Sequence, residues 1–408
     1  MKNALIFSTN FVGHRQIYVF VLAHILHELG YKLHIAGNFS EILNNSFYLD
    51  KIKSDQNIIK IDTSAIEGNG IGISNEKFIE IQKRYNIDLT IFAEADNHIP
   101  LFNSQILFGK KRFIGRIIGI FLRPYYYNYK LTLINKIRYI KQLNKTWRSD
   151  MRLFYEVLNP QLKLLDVSLF IDDYFVSKHK KTIWLPDVFQ QYVEELLSEE
   201  KSEQRIWIKK LDEFKNTNRG SYFLLYFGTP QQRRGYEQLL KLAVDYNACF
   251  IHCGVKNENE ILDDNTYEQL MILKKDNKLF ETNEYITDPV CIEYFFTSVS
   301  HLILPYIDFY GSSGVMLQAL TYNIPVLVPE KGVMGYRTKK YNLGLTFDEG
   351  YSSLSEQFKR FINIPAESFT ASIQNYMTSQ SVSLLSQVLS DVLTYNTPVT
   401  KISQKDSK

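Results

Sequence analysis

Three groups of residues in this chain have the types and spacing that chemistry requires. Residues 92–100 read FAEADNHIP, which sets Glu94 and Asp96 two positions apart in a short polar run after an apolar one, with His98 beyond them. Carboxylates so placed can take a proton from a hydroxyl or hold sugar hydroxyls; the alternative is a helix cap or a solvated loop. Residues 8–18, STNFVGHRQIY, put Gly13 and His14 after another apolar run. His14 is suited to act as a base or to touch a phosphate, and otherwise to cap a helix. The second group is basic: in YFGTPQQRRGYEQLLK, residues 226–241, Arg233 and Arg234 precede Gly235 and a helical pattern. Guanidinium forks match phosphate oxygens, although a solvated turn would use the same residues. In the third group, Gly311, Ser312, Ser313 and Gly314 follow an apolar run and open another helical pattern. Ser312 or Ser313 can cap that helix, whose free N–H groups and positive end then favour an anion.

The elements that must position these groups are legible from hydrophobic period and breakers. Residues 4–8 read as a strand, 17–29 as an amphipathic helix ended by Gly30, and 32–36 as a second strand. Further strand-like runs at 58–61, 89–93, 168–171 and 182–185 are separated by segments long enough for crossovers, which favours a parallel sheet. A second series begins at 222–227. It continues through a helix at 236–246 and strands at 248–253, 278–281, 301–304 and 325–328. In doubly wound sheets ligands collect at the carboxyl ends of the strands, and all three groups fall there. The expected organisation is a first α/β domain over 1–190, a charged connection over 191–218, a second α/β domain over 219–365, closing helices over 366–395 and a disordered polar tail over 396–408.

A chain of 408 residues with 45% hydrophobic content can build two ordinary cores. A net charge of +3 does not by itself indicate nucleic acid, but the charge is unevenly spread. Residues 110–152 carry lysine and arginine throughout, with Asp150 as their sole acid and with interleaved aromatics from Phe113 to Trp147. Such a segment suits an anionic membrane surface, and a solvated helix face is the alternative. No nucleic-acid motif accompanies it, so nucleic acid is not expected as a partner. Cys249, Cys253 and Cys291 lack metal-type spacing and read as reduced core thiols of a cytoplasmic protein. The N-terminus runs straight into a strand pattern, and no apolar run approaches the roughly 20 residues that span a bilayer. The expected location is cytoplasmic, with a peripheral place on the inner face of the membrane open through 110–152.

Residues 301–336, HLILPYIDFYGSSGVMLQALTYNIPVLVPEKGVMGY, resemble the donor-binding segment of GT-B glycosyltransferases of the family 4 type (glycosyl transferases group 1). That pattern runs Pro, an acidic residue, Gly, an acidic residue before Ala, then Gly-x-Pro-Val. Pro305, Gly311, Ala319 and Asn323-Ile324-Pro325-Val326 hold the matching places, while Tyr310 and Gln318 stand where the family has its two glutamates. The second glutamate normally accepts hydrogen bonds from the nucleotide ribose, and a neutral amide does so without charge assistance. Arg234 before Gly235 matches a basic residue that contacts the donor pyrophosphate. The family's other basic residue falls on Thr229, and Arg233 can substitute for it.

The resemblance implies an α/β fold class of GT-B architecture, two Rossmann-like doubly wound parallel-sheet domains facing a central cleft, with the last helix crossing back to the first domain. It implies a glycosyltransferase moving a sugar from a nucleotide-sugar donor to a hydroxyl of a glycan or lipid-linked acceptor, as in bacterial surface polysaccharide or glycoconjugate synthesis, with retention of anomeric configuration. The nucleotide-sugar is a substrate, so no cofactor is expected. Donor contacts would involve Gly13, Arg233, Arg234, Tyr310, Ser312, Ser313, Gly314 and Gln318, with Tyr285 or Ile286 in the loop bordering the base. Glu94, Asp96 and His14 are the catalytic candidates. Glu94-x-Asp96 and Asp172-Asp173 have the outline of a metal-binding acid pair. GT-B enzymes generally do not hold the donor through a metal, so none is expected. Arg337, Lys339 and Lys340 read as solvated. Two other readings stay open: a sugar-nucleotide 2-epimerase, and a catalytically silent GT-B-like binding subunit.

Overall fold

A computed structural model describes residues 1–8, 11, 14–39, 52, 54–63, 75–95, 113–122, 165–178, 182–188, 203–256, 263–309 and 311–394, with only the backbone given at 14–17 and 75. The chain divides into two compact units, Met1–Val188 together with the segment from Gln380 onward, and Phe189–Ser379.

The first unit contains β1 (Asn3–Phe7), α1 (His14–Glu28), β2 (Lys32–Gly37), β3 (Ile58–Asp62), α2 (Asn75–Arg84), β4 (Leu89–Phe92), β5 (Arg116–Phe121), β6 (Val167–Phe170), α3 (Asp173–Lys178) and β7 (Ile183–Trp184). Its strands form one sheet in the order β3-β2-β1-β4-β5-β6-β7, and all of its pairs are parallel. Central strands of such a sheet are covered on both faces, which is why they read as continuous apolar runs rather than alternating ones. In β1, Ala4, Leu5, Ile6 and Phe7 are all fully buried.

Strand β5 is absent from the sequence expectation, which treats its residues as part of a basic, membrane-facing segment. Its core is IIGIF, and Ile117, Ile118, Ile120 and Phe121 are buried. Phe113 is buried as well. The guanidinium of Arg116 donates to the carbonyl oxygens of Leu393, at 2.9 Å, and of Val392. These carbonyls lie at the end of the unit's last helix, where a cation meets unsatisfied oxygens and the negative end of the helix dipole. The other basic residues of 110–152 lie outside the described residues. Among the described residues, no helix is long and apolar enough to cross a membrane.

The second unit contains α4 (Ile206–Thr217), β8 (Phe223–Phe227), α5 (Tyr236–Asp245), β9 (Cys249–Cys253), α6 (Asp264–Lys275), β10 (Leu279–Glu281), α7 (Pro289–Thr297), β11 (Leu302–Ile303), α8 (Gly314–Thr321), β12 (Val326–Pro329), α9 (Gly332–Tyr341), β13 (Gly344–Phe347), α10 (Tyr351–Phe361) and α11 (Thr370–Thr378). Two parallel ladders, β10-β9-β8 and β11-β12-β13, abut along β8 and β11. Strand order therefore reverses between β8 and β11, as it does between β1 and β4 in the first unit. Helix α4 packs into this unit, burying Leu211. The final helix, α12 (Val382–Thr394), belongs to the first. Cys249, Cys253 and Cys291 are free and buried.

One local device recurs in both units. Asn86, Asn247, Asn277, Asn323 and Asn342 all take left-handed backbone angles, with φ between 48° and 59°. Each follows a helix. The residue after it donates back to a carbonyl of the last turn, as in Ile87 to Gln82, Ala248 to Ala243 and Ile324 to Ala319. Asparagine tolerates this conformation better than other side chains, and the pattern closes the helix and turns the chain into the next apolar segment. In four of the five places the preceding residue is tyrosine: Tyr85, Tyr246, Tyr322 and Tyr341.

Candidate functional site

The switch point between β8 and β11 in the second unit is built from two loops locked together. After β8 the chain reaches Gly228 at φ 113°, and a Cβ there would lie 2.4 Å from Nη1 of Arg234. Only glycine lets that guanidinium rest against the loop. A single 3-10 turn, Gln232–Arg234, then ends at Gly235 at φ 69°, where a Cβ would lie 2.0 Å from the carbonyl oxygen of Pro305. The amide of Ile307 donates to the Arg233 carbonyl at 2.9 Å. The loop after β8 is thereby held against the loop after β11.

Tyr306 joins them chemically. It is 8% exposed, and its hydroxyl accepts from Arg234 Nη2 at 3.3 Å, which leaves its own proton for Ser313 Oγ, also at 3.3 Å. The guanidinium lies 5.8 Å from the Tyr226 ring centre and 5.7 Å from that of Tyr306, within cation–π range. Burial alone would lower the Arg234 pKa, but the phenol groups of Tyr306 and Tyr226, and more weakly Tyr285, outweigh it and raise it. Arg234 is a secure cation at any working pH.

Ser313 caps α8, its Oγ accepting from the amide of Met316 at 3.3 Å. The amides of the first turn of α8 thus open beside Tyr306 and Arg234, an arrangement suited to an anion. Behind them lies a finding that differs from the sequence expectation. Arg337, read as solvated with its neighbours, is only 2% exposed, and its Nη1 donates to Ser312 Oγ at 3.0 Å. Lys339 is solvated, as expected, and pairs with Glu330. The signal for Arg337 was present in the spacing: Val333, Met334, Arg337 and Thr338 share the buried face of α9.

Gln318, which the sequence resemblance aligns with a glutamate, is buried and donates from Nε2 to the Tyr322 hydroxyl at 3.2 Å. In the loop after β10, Tyr285 is 43% exposed whereas Ile286 is buried in the core, so only the tyrosine offers a side chain to a ligand. This loop is clamped by Gln204. Its Nε2 donates to the Tyr285 carbonyl at 2.8 Å, and its Oε1 accepts from the amides of Thr287 and Asp288 at 2.9 and 3.0 Å. Arg233 is exposed and donates from Nε to Gln231 Oε1 at 3.0 Å. A depression of ≈ 320 Å³ opens at the carboxyl ends of β12 and β13, bordered by Tyr306, Phe309, Glu330, Lys331 and Phe347.

In the first unit, Glu94 follows β4 at the switch point and is 2% exposed. His14 opens α1, with its side chain outside the description, and Gly13, Asp96 and Tyr310 lie outside the described residues. Asp172 is buried, and its Oδ1 accepts from the amide of Phe175 at 2.8 Å, which makes it a cap of α3. Among the described residues, no three His, Cys, Asp or Glu side chains converge as metal ligands. Tyr306, Arg337 and Gln204 are the site-forming residues that sequence reasoning missed.

No protein-family model matches the chain, and no match is found among curated proteins. Solved structures are similar over nearly its whole length. The sucrose-phosphate synthase of Thermosynechococcus elongatus superposes with a TM-score of 0.65 at 12% identity, covering 97% of this chain and 98% of that one. Anabaena HepE in complex with UDP and glucose gives 0.61 at 10% identity, covering 97% and 100%. WaaG, a glycosyltransferase involved in lipopolysaccharide biosynthesis, gives 0.58 at 12% identity, covering 96% and 99%. These structural neighbours are GT-B glycosyltransferases, and the fold of this chain is α/β of the GT-B type, with two Rossmann-like parallel-sheet units.

Proposed function

We propose that this protein is a glycosyltransferase of the family 4 type, which takes a sugar from a nucleotide-sugar donor and passes it to a hydroxyl of a glycan or lipid-linked acceptor without a metal. The observation that carries the reading is the linked set Arg234, Tyr306 and Ser313 at the β8/β11 switch point. Loss of a nucleoside diphosphate from a sugar leaves charge on the departing phosphate. A fixed guanidinium and the free amides of a helix start stabilise that charge without reorganising. Ser312, Ser313 and Gly314 supply the amide side of this site, Arg234 the cation, and Tyr285 the side chain for the base. The neighbour solved with UDP and glucose supports a uridine nucleotide as the first to try.

Glu94 is the proposed group for the acceptor hydroxyl, since a buried carboxylate at a switch point can take a proton as the sugar transfers. Gln318 favours a second reading, a binding subunit without turnover, because its amide supplies no charge to the ribose site.

The test is a melting-temperature screen with UDP, GDP, ADP and CMP, followed by incubation of the matching nucleotide-sugars with and without glycan and polyprenyl-phosphate-linked acceptors. A ligand at about a hundred times its Kd stabilises by about 2.7 kcal/mol, which is readily seen. Transfer to an acceptor upholds the proposal. Binding without transfer supports the silent subunit, epimerisation of the donor alone supports an epimerase, and no shift with any nucleotide removes the donor site. Turnover that vanishes with a chelator and returns with a divalent cation would overturn the metal-free part.

A further inference from the structure

His252 lies near the end of β9 in an otherwise apolar strand and is fully buried, at 0% exposure. Its ring stands edge-on to Tyr226 and Tyr236, with centroids 5.7 and 5.5 Å away. Nε2 is 3.2 Å from the carbonyl oxygen of Gly228. A carbonyl only accepts, so Nε2 carries the proton. Nδ1 faces Glu281 Oε1 at 3.8 Å, beyond hydrogen-bond distance. Lys256 Nζ is 2.5 Å from the same oxygen. Burial alone would raise the Glu281 pKa, and its neighbours, the Lys256 ammonium among them, bring it below its ordinary value.

The consequence lies at Gly228. Its amide donates to the Cys253 carbonyl at 2.8 Å, and its own carbonyl accepts from His252. Two successive residues of β9 therefore hold both sides of a residue that has no side chain to hold it. Gly228 is also the surface against which the Arg234 guanidinium rests. Without the His252 bond, the peptide after Gly228 can rotate, and the seat of the guanidinium rotates with it.

We propose that His252 is a positioning residue of the diphosphate site, setting the place of Arg234 through the Gly228 carbonyl. The inference rests on the donor-site reading above and adds to it a residue that touches no ligand. Three substitutions bracket it. His252→Gln keeps an N–H donor at about the reach of Nε2, whereas His252→Asn is too short to meet Gly228, and His252→Leu removes the donor altogether.

The experiment is calorimetric titration of each full-length variant with the tightest-binding of UDP, GDP and ADP, alongside the matching nucleoside measured by competition, with melting temperatures recorded without ligand. His252→Asn and His252→Leu should lose about five- to tenfold in diphosphate affinity, the size of one hydrogen bond, while nucleoside affinity stays unchanged. His252→Gln should stay within about twofold of the unaltered chain. If His252→Leu does not fold, the Asn and Gln pair decides. Unchanged diphosphate affinity in His252→Asn, an equal loss for the nucleoside, or an equal loss in His252→Gln overturns the inference alone. No nucleoside diphosphate binding by the unaltered chain overturns the donor-site reading and this inference with it.

Discussion

The two sheets share a strand order around their switch points, yet the described residues at those two points differ in charge. In the second unit the loops after β8 and β11 gather around Arg234, with Arg337 buried behind Ser312. In the first unit the residues following β4, β6 and β7 include Glu94, Asp172 and Asp187, all buried. Parallel sheets deliver loops to one edge whatever those loops contain, so topology fixes where chemistry happens and the residues at strand ends fix which chemistry. A cation at a switch point suits a departing phosphate; a carboxylate suits hydroxyls. Asp172 and Asp187 have structural duties, the first capping α3 and the second accepting from the Tyr18 hydroxyl at 3.2 Å. Glu94 is the group proposed for proton transfer.

The largest expected effects test that division. Glu94→Gln should lower the turnover of sugar transfer by at least about a hundredfold while leaving nucleotide affinity alone. Arg234→Ala should do the reverse, weakening nucleoside diphosphate binding by about 1.5–3 kcal/mol, or ten- to a hundredfold, with little change in melting temperature. Steady-state rates and calorimetry on both variants decide. Equal loss of nucleotide affinity in the two would end the contrast between Glu94 and Arg234.

Arg337→Met sharpens the same contrast from the inside. Its guanidinium bonds to Ser312 in a buried setting, so the substitution should cost about 1.5–3 kcal/mol of stability in urea unfolding and also weaken nucleotide binding. A surface residue would show neither effect. How far the chain could be read in advance turns on such residues. Strands β8 to β12 of the second unit were legible within a residue or two, because buried parallel strands are short apolar runs set off by helices; β13 was not anticipated. Strand β5 was not, because dense flanking charge made IIGIF look like part of an interface. In the site, Arg234 was legible from its place before Gly235. Tyr306 was not, since nothing in the order of residues tells that a tyrosine after Pro305 will reach both Arg234 and Ser313.

A smaller effect, on pH, compares the interiors. Each unit buries a histidine whose pKa burial lowers: His34, with Nε2 3.2 Å from Asn3 Oδ1, and His301, with Nε2 donating to the Ile364 carbonyl at 3.0 Å. Both are held neutral in the fold but take up a proton in the unfolded chain near pH 6.5. Their contribution is present above that pH and is lost as pH falls through it toward the folded pKa. Urea midpoints should fall between pH 7.5 and 5.5, and His301→Gln, which keeps a donor but cannot titrate, should flatten the slope. An unchanged slope would show that His301 carries none of it.

The smallest expected effect concerns what the units have in common. Tyr85-Asn86 ends α2 in the first unit and Tyr322-Asn323 ends α8 in the second, and both asparagines are left-handed, at φ 48° and 59°. If the turn is a purely local device, the same substitution should cost the same in either unit. Replacing either asparagine by alanine should destabilise by up to about 1 kcal/mol, because alanine lacks the short amide that hydrogen-bonds locally in that conformation, and glycine, which has no Cβ to clash, should be neutral or slightly stabilising. Asn323 also follows Tyr322, whose hydroxyl accepts from Gln318 at 3.2 Å. A loss at Asn323 clearly exceeding that at Asn86, accompanied by weaker nucleotide binding, would show that this turn supports the ribose side of the site as well as the fold.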